Sequence, residues 1–107
     1  MYPHERQALQ RIATQLREKL ADRIVALYAF GSRVRGTHSA WSDFDLLVVV
    51  RDKEPQIEDE IISLIVDEEM KSGLSFTPLV KDHGAFEKEK GFHTPFYENI
   101  MREGVSL

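Results

Sequence analysis

Asp43 and Asp45 are the residues of this sequence with the clearest capacity for chemistry. They stand two apart, at the head of the apolar run FDLLVVV. In an extended strand alternate side chains share a face, so both carboxylates project together while Phe44 points the other way. Two carboxylates held side by side repel one another, and burying both without a partner is costly. A divalent cation relieves that repulsion. Mg²⁺ suits the arrangement, because it is commonly held by one or two carboxylates together with substrate phosphates.

A second set of residues lies just upstream. The apolar run IVALYAF ends at Gly31-Ser32, and Arg33 and Arg35 follow. Gly31 lets backbone approach a ligand closely. Ser32 offers a hydroxyl and a backbone N–H at the start of a short helical turn, which suits phosphate oxygens. Arg33 and Arg35 either add charge-assisted bonds to phosphate or are surface charges, with Arg33 favoured for phosphate because it adjoins Ser32. The short span from Gly31 to Asp43 lets the two apolar runs pair as antiparallel neighbours, which places Gly31-Ser32 beside the acids. Together these residues read as a metal–nucleoside triphosphate site for phosphoryl or nucleotidyl transfer, in which positioning and charge neutralisation do most of the work.

The elements that position this site follow from periodicity. Leu9, Ile12, Leu16 and Leu20 form one apolar stripe and predict a helix over residues 4–21. Residues 24–30 are almost continuously apolar, as expected of a strand covered on both faces, and residues 44–50 form a second strand. GSRVRG reads as a short helical turn and THSAWS as loop. Residues 55–71 form a second long helix, opened by Pro55 and stopped at Gly73. Residues 74–80 are a third strand, placed at the sheet edge by Pro78, and 84–90 and 95–103 are short helices. The connection containing the 55–71 helix makes strands two and three parallel. An α/β (α+β) fold results: a small mixed three-stranded sheet in the order 1-2-3, with helices packed on it.

Composition narrows the functional class. A chain of 107 residues reads as one domain, 1–107. It has no cysteine, which excludes disulfides and cysteine-based zinc sites. No apolar run approaches the roughly 20 residues needed to span a bilayer, and MYPHERQALQ lacks a signal-peptide core; a cytoplasmic protein is expected. The net charge of −4 argues against direct binding to a nucleic-acid backbone. The local cations Arg33, Arg35 and His38 suit a small phosphorylated ligand instead.

The string GSRVRGTHSAWSDFDLLV, with Gly31-Ser32 ten residues ahead of Asp43-Phe44-Asp45, resembles the signature of the DNA polymerase β-like nucleotidyltransferase superfamily. Its context resembles the smallest branch, the minimal nucleotidyltransferase (MNT) proteins, over nearly the whole chain, including the C-terminal PFYENIMREGVSL. The resemblance implies the nucleotidyltransferase fold, a triphosphate held at Gly31 and Ser32, and Mg²⁺ held by Asp43 and Asp45. It further implies a HEPN-domain partner in a toxin–antitoxin pair, with AMP transferred from ATP to a tyrosine of the HEPN toxin. It also implies a third acid on the third strand, level with Asp43. Residues 74–78, LSFTP, contain none, and Asp82 comes at the opposite end. Glu68 and Glu69 lie at the correct edge of the sheet, but a solvated helix face is the better reading for them.

Two functions therefore stand side by side. One is a Mg²⁺-dependent enzyme moving AMP from ATP to a HEPN partner. The other is a catalytically degenerate binding module that neutralises a HEPN partner by contact. Among the remaining residues, His38 reads as a loop residue and Trp41 as a loop anchor. Phe30 and Phe44 read as core. Phe92, Phe96, Tyr97 and Ile100 are expected to cover the sheet edge. The edge strand leaves homo-oligomeric or partner pairing open.

Overall fold

The structure, a computed structural model, describes residues 1–36 and 43–107. Helix α1 (Pro3–Leu20) buries Leu9, Ile12, Leu16 and Leu20 along one side, as their spacing requires. A single 3₁₀ turn, Ala21–Arg23, feeds strand β1 (Ile24–Phe30). The one-turn helix α2 (Ser32–Arg35) follows, and then β2 (Phe44–Val50). Helix α3 (Pro55–Ser72) ends at Gly73, which takes the left-handed conformation at φ 76° and donates its N–H to the Glu69 carbonyl. Strand β3 (Phe76–Asp82), helices α4 (His83–Phe92) and α5 (Pro95–Glu103), and strand β4 (Val105–Ser106) complete the chain.

β1 pairs with β2 antiparallel and β2 with β3 in parallel, as the connection lengths predict. The sheet nevertheless has four strands among the described residues, in the order β3-β2-β1-β4, where three were expected. β4 is only two residues long. It becomes a strand because Tyr28 and Ala29 of β1 offer it a free edge, with Ser106 and Val105 as partners. The third strand also starts two residues later than expected. Gly73 turns the chain, the Leu74 N–H is taken by the Ser72 hydroxyl at 3.2 Å, and pairing begins where Phe44 N–H reaches Ser75 O at 2.9 Å. Pro78 sits on β3 at the sheet's edge, as expected.

Alternation along β2 divides the core. Phe44, Leu46, Val48 and Val50 face α1 and α3, joined by Leu27 and Ala29 of β1 and Phe76 and Val80 of β3. Leu47 and Val49 face the other way, toward Phe86 of α4 and Ile100 of α5. Phe96 and Tyr97 pack on this second cluster beside Ile100, so α5 covers a face of the sheet rather than the edge that was expected. Phe92 does not join them; it is 80% exposed. No described helix is long and apolar enough to cross a membrane.

One ion pair ties the short helix to the long one. Glu5, in the first turn of α1, accepts the Tyr2 N–H at 2.8 Å and pairs with the Arg33 guanidinium. Arg33 lies over the Phe44 ring, 4.5 Å from its centroid. Both charged residues are buried. Burial alone would raise the Glu5 carboxyl, but the Tyr2 N–H and the Arg33 guanidinium outweigh it and hold the group below its ordinary value.

Glu5→Gln should therefore cost roughly 3 kcal/mol at neutral pH, read by urea denaturation, because it removes the buried carboxylate that faces the Arg33 charge. A depressed carboxylate contributes stability above its unfolded-state value, and that contribution is lost as pH falls through the lower native value. The gap between wild type and Glu5→Gln should thus narrow below about pH 4. A gap independent of pH would contradict this account of Glu5.

Candidate functional site

The end of β1 and the start of β2 meet because Phe30 is registered opposite Asp45. The next residue, Gly31, has φ +91° and ψ −170°, a conformation that L side chains rarely adopt. A Cβ placed on it would lie 2.2 Å from Asp45 Oδ2. The carboxylate thus rests directly against the Gly31 backbone. α2 then closes one turn, with Arg35 N–H on Gly31 O at 3.1 Å, and Gly36 ends it in the left-handed region at φ 79°.

Asp45 occupies the α5 side of β2, two residues before Leu47. Thr77 of β3 is registered opposite Asp45, and its hydroxyl donates to Asp43 Oδ2 at 3.0 Å. Asp43 and Asp45 are therefore held between the ends of β1 and β3. Burial pushes the Asp45 carboxyl above its usual value and the neighbouring Asp43 charge pushes it further, while Arg35 acts against both.

Asp45 opens into a cleft of about 370 Å³, lined by Gly31, Ser32 and Arg35 on one side and by Asn99 and Glu103 of α5 on the other. Its floor is apolar, formed by Phe30, Phe96 and Ile100, with the two phenyl rings edge to face at 5.9 Å. Arg35 Nη1 pairs with Glu103 Oε2 across the cleft at 3.2 Å. A concave space with an apolar floor and a few convergent polar groups is the usual form of a small-molecule site.

The structure brings Gly31, Ser32, Arg35 and Asp45 together on this cleft, with Asp43 beside them through Thr77. The expectation that Arg33 contacts phosphate is corrected. Two residues apart on a helical turn means about 200° of rotation, so when Arg35 faces the cleft Arg33 faces the core, where Glu5 and Phe44 receive it. The expectation of a solvated face at Glu68 is also corrected. Glu68 is buried and takes two 3.0 Å bonds from Arg11 of α1. Glu69 accepts the Phe76 N–H at 2.8 Å and so caps the start of β3. Both glutamates belong to α3, which packs on the opposite face of the sheet from Leu47 and Val49.

Asp82 sits opposite Val50, at the far end of β3 from Phe76. There it receives the backbone N–H of Lys53 and Gly84. The Lys53 bond is the main reason its carboxyl lies below the ordinary value. His38 and Trp41 lie outside the described residues. Asn99 and Glu103 carry no motif. Their only signal is an i, i+4 spacing on a helix whose apolar side holds Phe96 and Ile100. No group of three or more His, Cys, Asp or Glu is gathered among the described residues.

Residues 9–105 match the family model of the nucleotidyltransferase domain. A Methanocaldococcus jannaschii protein that goes by the name protein adenylyltransferase MJ0604 is 28% identical over 105 residues, covering 97% of this chain and 98% of that one. Among solved structures, a toxin–antitoxin complex with AMP-PNP is similar in fold, with a TM-score of 0.57 at 16% identity, over 91% of this chain and 70% of that chain. A mutant of the MntA–HpeT toxin–antitoxin pair gives a TM-score of 0.55 at 17% identity, over 92% and 70%.

Two outcomes test the geometry without any ligand. Gly31→Ala should destabilise by about 1–3 kcal/mol, more than Gly73→Ala, because both positions have positive φ but only Gly31 also meets a carboxylate. Equal losses would show that Asp45 is not seated on Gly31. Asp45→Asn should melt higher than wild type at neutral pH. A carboxyl raised in the native state costs stability once ionised, so the difference should shrink as pH falls through that raised value and be gone by about pH 4.

Proposed function

The chain belongs to the nucleotidyltransferase-domain family, and from that premise we propose that it binds Mg²⁺–ATP in the α5 cleft and transfers AMP to a partner protein. The observation that carries the reading is the meeting of Gly31, Ser32, Arg35, Asp43 and Asp45 at one end of the sheet. The proposed partner is a HEPN-domain toxin, with this chain as its antitoxin. The name of the M. jannaschii relative supports transfer of AMP to a protein, the toxin–antitoxin fold neighbours support a partner of that kind, and the HEPN identity rests on the family resemblance of the sequence.

The residues present fit a divalent cation. Asp43 and Asp45 offer hard oxygen donors, and the Asp45 carboxyl lies above its ordinary value, through burial first and the neighbouring Asp43 charge second, which a cation would relieve. Asp43 and Asp45 would hold Mg²⁺, which when bound supplies charge neutralisation for the triphosphate. Gly31 has no side chain of its own, and the space a Cβ would need is taken by the Asp45 carboxylate, so backbone and acid converge where the phosphates would bind. Ser32 offers its hydroxyl to phosphate oxygens, and Arg35 adds a forked cation. Phe30, Phe96 and Asn99 give the rest of the cleft an apolar floor with one amide, suited to a nucleoside. In the transfer, the acceptor hydroxyl oxygen forms a bond to the α-phosphorus, the α–β phosphoanhydride bond breaks, pyrophosphate leaves and the hydroxyl proton passes to water.

Thr77 favours keeping a second reading beside this one. It stands level with the acid pair, where the family resemblance implies an acid, and its hydroxyl is spent on Asp43. Glu68 and Glu69 are committed to Arg11 and Phe76. A chain so built could neutralise its partner by contact alone. Incubation with labelled ATP, Mg²⁺ and the HEPN partner separates the two. Transfer of label to the partner, lost in Asp43→Asn and in Asp45→Asn by a factor of about 100 or more, is expected. Full neutralisation of the partner by the double variant, with no label moved, would instead establish the contact reading.

A further inference from the structure

We infer that Glu103 is a built-in competitor of the substrate's phosphates: it holds Arg35 across the cleft, and the phosphates must displace it to engage that cation. The inference rests on the phosphate-binding reading of the cleft. Glu103 lines the same cleft as Gly31, Ser32 and Asp45, and its Oε2 lies 3.2 Å from Arg35 Nη1. Both side chains are partly exposed, so an incoming anion can reach them.

The position of Glu103 is otherwise a poor one. It is the last residue of α5, where the macrodipole disfavours a negative charge. Its other cation, Arg102, is 3.9 Å away at Nε. The backbone around it is nevertheless fixed. Gly104 N–H bonds Ile100 O at 2.8 Å, β4 pairs with β1, and Leu107 N–H reaches Leu27 O at 2.9 Å. Ile100, three residues earlier, is fully buried. Glu103 is thus carried to Arg35 by an anchored segment rather than by a loose tail. With Asp45 nearby, the cleft holds two carboxylates around Arg35. Glu103 takes Nη1 of the guanidinium, so ligand phosphates that engage the cation from the Nη1 side compete with it for that edge.

The test is a double-mutant cycle by titration calorimetry, with the Mg²⁺ complex of a non-hydrolysable ATP analogue as probe. Glu103→Gln should bind about two- to five-fold tighter than wild type, the range expected for releasing a part-exposed ion pair. Arg35→Gln should bind more weakly, and adding Glu103→Gln to it should change nothing further. Glu103→Asp, which keeps the charge but shortens the reach, should also bind tighter than wild type. Thermal melting confirms that each variant is folded. Tightening that persists in the Arg35→Gln background means general repulsion and overturns the competition. Unchanged or weaker binding by Glu103→Gln overturns it too, while leaving nucleotide binding intact. Absence of binding in wild type and every folded variant overturns the functional reading itself, and this inference with it.

Discussion

The approach of the Asp45 carboxylate to the Gly31 backbone is the constraint on which the rest of the site depends. It fixes the residue type at 31, since any Cβ would stand 2.2 Å from Asp45 Oδ2. It also requires the antiparallel register that sets Phe30 opposite Asp45. Because side chains alternate along a strand, a slip of one residue would send Asp45 into the α1–α3 core and Phe44 into the cleft. The apolar demand at Phe44 and the polar demand at Asp45 therefore enforce the same register from opposite faces. Packing on one side of β2 specifies the chemistry on the other.

The buried pair of Glu5 and Arg33 extends that logic to α2. A four-residue helix has too few internal hydrogen bonds to hold its own orientation. Arg33 supplies it by reaching through to α1 and stacking on Phe44. Once Arg33 is committed to the core, the 200° between it and Arg35 leaves Arg35 facing the cleft. The two arginines of GSRVRG are thus not equivalent copies of one function. One anchors the turn, and the other meets whatever occupies the cleft. Replacing the buried pair with apolar residues could preserve stability, so its value lies in orientation as well as energy.

Much of this was legible in the sequence. The strands at Ile24–Phe30 and Phe44–Val50 announce themselves as apolar runs, and the site's polar residues sit at their joined ends. What escaped had a physical reason in each case. β4 has no pattern of its own; its two residues are a strand only because β1 has an open edge. Glu103 and Asn99 approach the cleft through the packing of α5, which depends on contacts remote in sequence. Glu68 and Glu5 are different, because a signal existed. Glu68 falls four after Leu64 and three after Ile65, and Glu5 falls four before Leu9, so each lies on its helix's buried stripe. A carboxylate there demands a cation, and Arg11 and Arg33 answer it.

Thr77 shows how far the fold and its chemistry can be separated. A third carboxylate at that register position would join two that already repel, in a part of the molecule where burial raises Asp45. The hydroxyl does the opposite: it gives Asp43 a donor and adds no charge. The exchange eases the electrostatic load on the folded chain and fixes the orientation of one carboxylate. It also leaves the acid pair with no third oxygen anion beside it on β3. On the proposed reading, a cation held there would complete its coordination from the nucleotide's phosphates and from water. Binding of metal and binding of triphosphate would then be coupled more tightly than in a site with three acids, because neither partner can be well held without the other.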